Sequence, residues 1–300
     1  MQRVLSTYLF INRKLTLGML EESARAGIPA IELFCSRPHF NYHSPQHVRE
    51  LAGWLAEHNL ALHSVHAPTE RDASPGRESG VPISICDLER LRRLDAVDEV
   101  KRALELAEFI PFRFLVQHIG VARESEDPRK WDAAFNSLEH LVLFAKQRGV
   151  TIALENTPGG LATPSHLRGF IEETRLHHLR LCFDTGHAHM EEGVESSFET
   201  MRQLVVTTHV HDNHGQKDEH LLPYEGTIDW DTTVQVLGRG TPAANELPFV
   251  LELKEQAGLG ASSEASPGST LRAARAAFDK FEMALSRESA GGKDARTAQA

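Results

Sequence analysis

Seven short segments of this chain bring a histidine or a carboxylate to the end of an apolar run or to the turn beyond it. They read HSVHAP, LVQHIG, IALENTPGG, LCFDTGH, HVHDN, KDEHLLPYEG and FVLELKE. The residues concerned are His66, His118, Glu155, Asp184, His187, His211, Asp218, His220 and Glu252. All are hard or borderline metal ligands, and no thiol stands among them. Runs such as 151–154 and 249–251 have the composition of parallel strands buried on both faces. A ligand where each run stops puts one polar group at the same end of every strand. In a (β/α)8 barrel that end is the catalytic face.

The order of elements supports this closure. Apolar runs at 4–10, 28–34, 60–65, 112–116, 150–154, 179–183, 205–210 and 249–253 alternate with helical patterns. The helices are expected at 16–26, 45–58, 87–109, 131–148, 197–204 and 269–285, with others opening at 163 and 229. At 163–165 the order Thr-Pro-Ser supplies a cap and a first-turn proline. Eight β-then-α units predict a single (β/α)8 TIM barrel over residues 1–286, its metal site at the C-terminal face of the strands. A doubly wound open sheet would give no reason for ligands on nearly every strand end. Residues 287–300, ending SAGGKDARTAQA, read as a disordered tail.

Composition narrows the partners. The chain has 300 residues and a formal net charge of −10. That acidity argues against nucleic acid, whose phosphates call for a basic face. No apolar run nears the roughly 20 residues that span a bilayer. The start, MQRVLSTYLFINRK, reads as a first strand, not a signal peptide. Cys35, Cys86 and Cys182 show no CxxC spacing, which points to a reducing cytoplasm.

A single histidine among seventeen is more often a satisfied polar residue than a ligand. His66 and His118 differ, since each closes a strand. Glu155 and Glu252 are harder to explain structurally, because a carboxylate at the end of a buried strand needs a cation, a metal or several donors. Asp184 and His187 flank a glycine turn, and Asp218 and His220 are spaced by one residue in a loop. His209 shares a strand face with His211 and ranks below it, as packing. Glu32, in AIELF, is expected to orient substrate or a ligand histidine, or to satisfy an arginine. Arg71 and Arg77, in the polar loop 69–82, are candidates to grip an anionic group; solvated loop charges are the alternative. Trp230 is expected to pack at a helix start. The donor set suits Mn, Mg, Co or Zn, as one to three ions.

These segments resemble the xylose-isomerase-like barrel superfamily, which holds the sugar phosphate isomerase/epimerase group and endonuclease IV. The resemblance runs from residue 4 to about residue 285 and is most specific at ALEN, FDTGH and HDN through KDEHLLPYEGTIDW. The epimerase pattern implies one metal on Glu155, Asp184, His211 and Glu252. The endonuclease IV pattern implies a trinuclear zinc site that adds His66, His118, His187, Asp218 and His220. This chain has both sets. The family's aspartate after the HxN step is His214 here.

The resemblance thus implies two chemistries. In the first, a metal chelates a sugar or sugar phosphate, Glu155 and Glu252 exchange a proton through an enediolate, and His187 holds the oxygen that gathers charge. In the second, two or three zinc ions drive phosphoester hydrolysis. A non-catalytic sugar-binding barrel is the third reading, and the intact ligands speak against it. A homodimer fits the family pattern, though no residue demands it.

Overall fold

The structure is a computed structural model, and it describes residues 1–71, 80–255 and 267–297. Eight parallel strands are present: β1 Gln2–Ser6, β2 Ala30–Phe34, β3 Ala61–His66, β4 Phe114–Gln117, β5 Thr151–Glu155, β6 Arg180–Asp184, β7 Val205–His209 and β8 Pro248–Leu251. They run in the order β7-β6-β5-β4-β3-β2-β1-β8. The remaining seam, between β7 and β8, is closed just beyond β7. There the Val210 N–H donates to the Val250 carbonyl at 2.8 Å, and the Glu252 N–H donates to the Val210 carbonyl at 3.2 Å. The result is the (β/α)8 barrel that the alternation of runs predicts.

The helices are α1 Leu17–Arg25, α2 Pro45–His58, α3 Arg90–Glu105, α4 Pro128–Lys146, α5 Pro164–Thr174, α6 Thr185–His189, α7 Val194–Met201, α8 Trp230–Gly238 and α9 Pro267–Thr297. Proline opens α2, α4 and α5, and the side chains of Ser44, Asp127 and Thr163 cap them. Each such cap contributes about 1 kcal/mol. Helix α9 continues to Thr297, past residue 287 where the sequence alone puts the start of a tail. Among the described residues no helix is long and apolar enough to cross a membrane.

Alternation within the strands decides which side chains reach the barrel interior. Leu5, Leu33, Val65, Leu115, Leu154, Leu181 and Phe183 join the large core shared with the helices. Phe183 meets Phe198 of α7 edge-on at 5.1 Å. The intervening positions face the other way. Phe114, Val116, Ala153, Cys182 and Val206 form one small apolar cluster, and Val4, Ala30 and Val250 form another. Above them on the same faces stand Glu32, Ser64, His66, Glu155 and Asp184, all buried. The pairing Ser6↔Glu32↔Ser64 and Asp184↔His209 carries this polar layer around the barrel.

Two local expectations need correction. The apolar run 4–10 is not one strand: β1 stops at Ser6, and Thr7–Phe10 forms a 3-10 turn capped by the Ser6 side chain. Turning there lets Thr7 Oγ1 accept the Phe34 N–H at 2.9 Å, tying β1 to the end of β2. The helix expected over 87–109 is α3 followed by a separate 3-10 turn, Leu106–Glu108.

Candidate metal centre

Glu155, the last residue of β5, is the hub of the site. Its Oε2 lies 3.2 Å from His66 Nε2 and 3.0 Å from His118 Nε2. Its Oε1 lies 3.2 Å from His209 Nδ1 and 3.3 Å from His187 Nδ1. Asp184 ends β6 and divides its oxygens between two tasks. Oδ1 accepts the His187 N–H at 2.7 Å and so caps α6, while Oδ2 faces His211 Nε2 at 3.1 Å. Asn156 ties the two strand ends together: its Nδ2 donates to the Asp184 carbonyl at 3.0 Å, and its Oδ1 accepts the Asp184 N–H at 2.8 Å.

Glu252 enters from just past β8, with Oε2 3.5 Å from His209 Nδ1. The loop after β7 supplies the rim, where Asp218 Oδ2 stands 2.9 Å from His220 Nε2 and 3.7 Å from His187 Nε2. Asp218 is 38% exposed and His118 22%, whereas Glu155, Asp184 and His211 are sealed from solvent. Tyr8 and Phe34 form an aromatic wall: Phe34 stacks on His66 at 4.4 Å, and Tyr8 lies 4.9 Å from His220.

Backbone carbonyls set the histidine tautomers. Nδ1 of His66 donates to the Ala67 carbonyl at 2.7 Å, that of His187 to the Asn156 carbonyl at 2.9 Å, and that of His220 to the Glu252 carbonyl at 2.9 Å. Each Nε2 is thereby turned toward a carboxylate and becomes the nitrogen that an ion would take once its proton is displaced. Burial opposes ionisation of Glu155, yet His209 and His118 hold its carboxyl well below the usual range. Asp184 is likewise held low, with burial outweighed by His187 and His211.

The donors fit a divalent ion. Glu155 Oε1, His209 Nδ1 and His211 Nδ1 are buried without a hydrogen-bond partner. Donor atoms converge within 4.8 Å in four overlapping groups: His66–Glu155–His209, Asp184–His187–His211, His211–Asp218–His220 and Glu155–Asp184–His209–Glu252. So many buried carboxylates in one place need compensating cations. Oxygen and imidazole donors suit Mn, Mg, Co or Zn.

All nine ligand candidates of the sequence therefore meet at one mouth. His209, ranked below His211 as packing, turns its Nδ1 toward Glu155 Oε1 and Glu252 Oε2 in the same place. Glu32 meets no arginine among the described residues; it accepts from Ser64 Oγ at 2.8 Å and from His209 Nε2 at 3.2 Å. Arg71 pairs with Asp95 at 2.9 Å. Arg77 lies outside the described residues. His214 turns to Glu219 at 2.8 Å in the exposed rim loop.

Sequence reasoning missed Asp212. Its buried carboxylate accepts from the backbone of Asn213, Tyr224, Gly226 and Ile228 and from Trp230 Nε1, at 2.7 to 3.1 Å. It folds the loop that carries Asp218 and His220, with Trp230 opening α8 as expected. The missed signal was a carboxylate next to the ligand histidine, on the opposite strand face.

A closed (β/α)8 barrel with this donor set at its C-terminal mouth defines a class of barrel protein built around a candidate metal centre. The chain belongs to the xylose isomerase-like TIM barrel family, whose model matches residues 20–277. It is 28% identical over 247 residues to the uncharacterized protein MJ1311 of Methanocaldococcus jannaschii, covering 77% of this chain and 78% of that one. The uncharacterized protein y4fM of Sinorhizobium fredii is 25% identical over 215 residues, 65% of this chain and 69% of its own. The fold is similar to that of a D-tagatose 3-epimerase-like protein, with a TM-score of 0.74, 21% identity and coverage of 96% of this chain and 99% of that one. It is also similar to L-ribulose 3-epimerase, with a TM-score of 0.74, 16% identity and 96% of each chain covered. The IolI protein with a zinc atom aligns at a TM-score of 0.68 and 15% identity, over 95% of this chain and 98% of that one.

Proposed function

We propose that this protein is a divalent-metal-dependent isomerase or epimerase of a small carbohydrate or its phosphate. The observation that carries this reading is the buried pair Glu155 and Glu252, brought with Asp184 and His209 into one donor group. Glu155, Asp184, His211 and Glu252 would hold the ion, with His209 beside them. When bound, the ion would polarise a sugar carbonyl and acidify the adjoining C–H. Glu155 and Glu252, entering from β5 and from beyond β8, are then the two bases: one removes the proton and the other returns it. His187, its ring fixed by the Asn156 carbonyl, would hydrogen-bond the substrate oxygen that gathers charge. The epimerases of similar fold support the same reaction class.

One observation favours a second reading, phosphoester hydrolysis. His66 and His118 converge on the same oxygen of Glu155, and His187 and His220 converge on Asp218. If both groups held zinc, Glu155 would be engaged as a ligand beside His66 and His118 and be a poor free base. Elemental analysis of protein purified without chelator or affinity metal separates the two readings. About one Mn, Co or Mg per chain, with solvent deuterium entering ketoses, supports the isomerase. Two to three zincs with no such exchange, and with phosphoester cleavage, would replace it.

A further inference from the structure

Glu32 and His209 lie in the polar layer inside the barrel, under the donors just described, and the proposed reaction gives neither a task. Both are fully buried. Glu32 comes from β2, its neighbour Ser64 from β3 and His209 from β7, so the three meet across the barrel interior. The two Glu32 oxygens stand 3.1 and 3.2 Å from His209 Nε2, and Ser64 Oγ donates to Oε2 at 2.8 Å. A carboxylate at that distance places a proton on Nε2, which leaves Nδ1 to face the opposite way.

Nδ1 faces three carboxylates: Glu155 Oε1 at 3.2 Å, Glu252 Oε2 at 3.5 Å and Asp184 Oδ2 at 3.9 Å. None is aligned to form a hydrogen bond with it. An Nδ1 aimed among three anionic oxygens carries a proton, and a cation that displaces that proton would sit between them. A carboxylate behind one ring nitrogen and a cation site before the other is how proteins orient metal-binding histidines.

We propose that His209 Nδ1 is an additional nitrogen donor of the centre, and that Glu32 is the positioning residue that aims it. Glu32 sets the affinity of the Glu155–Asp184–Glu252 group for its ion without touching the ion. The inference rests on the metal-centred reading above and does not depend on which substrate the site takes.

The test is titration of Co²⁺ into the metal-free, full-length protein, followed by calorimetry and by the visible spectrum of the bound ion. Glu32→Gln is expected to bind the same number of ions with affinity roughly 10- to 100-fold weaker, the range for loss of such an orienting partner. His209→Gln is expected to weaken binding further and to change the Co²⁺ spectrum, since a nitrogen leaves the coordination sphere. A purely structural role would lower thermal stability and leave both readouts alone. Wild-type affinity and spectrum in both variants would overturn the inference. Should Glu32→Gln fail to fold, Ser64→Ala removes only the hydroxyl that holds Glu32; severalfold weaker binding supports the proposal and unchanged binding overturns it. If the wild-type protein binds no Co²⁺, the metal-centred reading fails and this inference with it.

Discussion

Asp184 caps the helix that carries His187: its Oδ1 accepts the His187 N–H at 2.7 Å, while its Oδ2 faces His211 at 3.1 Å. One carboxylate therefore sets the local backbone and offers a ligand atom. The two jobs come apart by substitution. Asparagine caps as well as aspartate but carries no charge. Asp184→Asn is expected to keep the fold and to lose metal affinity at least tenfold. Asp184→Ala loses the cap too and should be less stable than Asp184→Asn by about 1 kcal/mol. Thermal melts of the two metal-free variants, beside metal titrations, check both halves.

Glu155→Gln removes the hub's charge and its capacity to take a proton. With a ketose substrate, turnover and solvent deuterium exchange should fall by roughly 10²- to 10⁴-fold, the range for loss of a general base. Deuterium uptake followed by NMR is the measurement. Near-normal exchange in Glu155→Gln would exclude it as a base.

Gly186 has no room for a side chain, because an added Cβ would lie 2.0 Å from Cε1 of the His211 ring. The Gly186 carbonyl also accepts from Asn213 Nδ2 at 2.9 Å, so the backbone cannot easily retreat. Gly186→Ala is expected to cost about 1–3 kcal/mol through overpacking and to displace His211. Urea denaturation reads the first effect, and a metal titration reads the second.

Metal affinity should rise with pH. Burial alone would push the His187 imidazole down, but Asp184, Asp218 and Glu155 outweigh it and hold it well above its ordinary value. His211 is raised in the same sense, with burial outweighed by Asp184 and Asp218. Raised values mean that these rings hold their protons to higher pH than a free imidazole does, and an incoming ion must displace them. Affinity should then climb by about tenfold per pH unit for each proton released, from the ordinary imidazole range up to the raised values. Calorimetry in buffers of different ionisation enthalpy counts the protons; pH-independent binding would contradict the assignment.

Asp212 receives five N–H donors within its own loop and α8. An asparagine there must turn its NH₂ group toward some of those donors. Asp212→Asn is expected to destabilise the protein by about 2–4 kcal/mol, since each lost hydrogen bond to a charged acceptor costs about 1.5–3 kcal/mol. Binding at Asp218 and His220 should weaken more than binding at Glu155. Denaturation midpoints and metal stoichiometry test this.

Much of this molecule was legible from the sequence because strands and ligands leave local marks. A strand buried on both faces must be an unbroken apolar run, and a ligand at its end interrupts that run with a charge, as at Glu155, Asp184 and Glu252. Eight such runs alternating with helices already determine a barrel and put nine candidate donors at one end. The tertiary structure decided what each donor faces. His66 and His118 share one Glu155 oxygen although 52 positions separate them, and no periodicity encodes that meeting. His209 ranked as packing because no local pattern shows that Glu32, from β2, stands 3.1 Å from its Nε2. Asp212 gives only a faint local mark, a carboxylate beside His211, since its donors reach back from as far along the chain as Tyr224 and Trp230. Local periodicity records which face a residue takes, whereas its partners are set by barrel closure, which brings distant strand ends within a few ångströms.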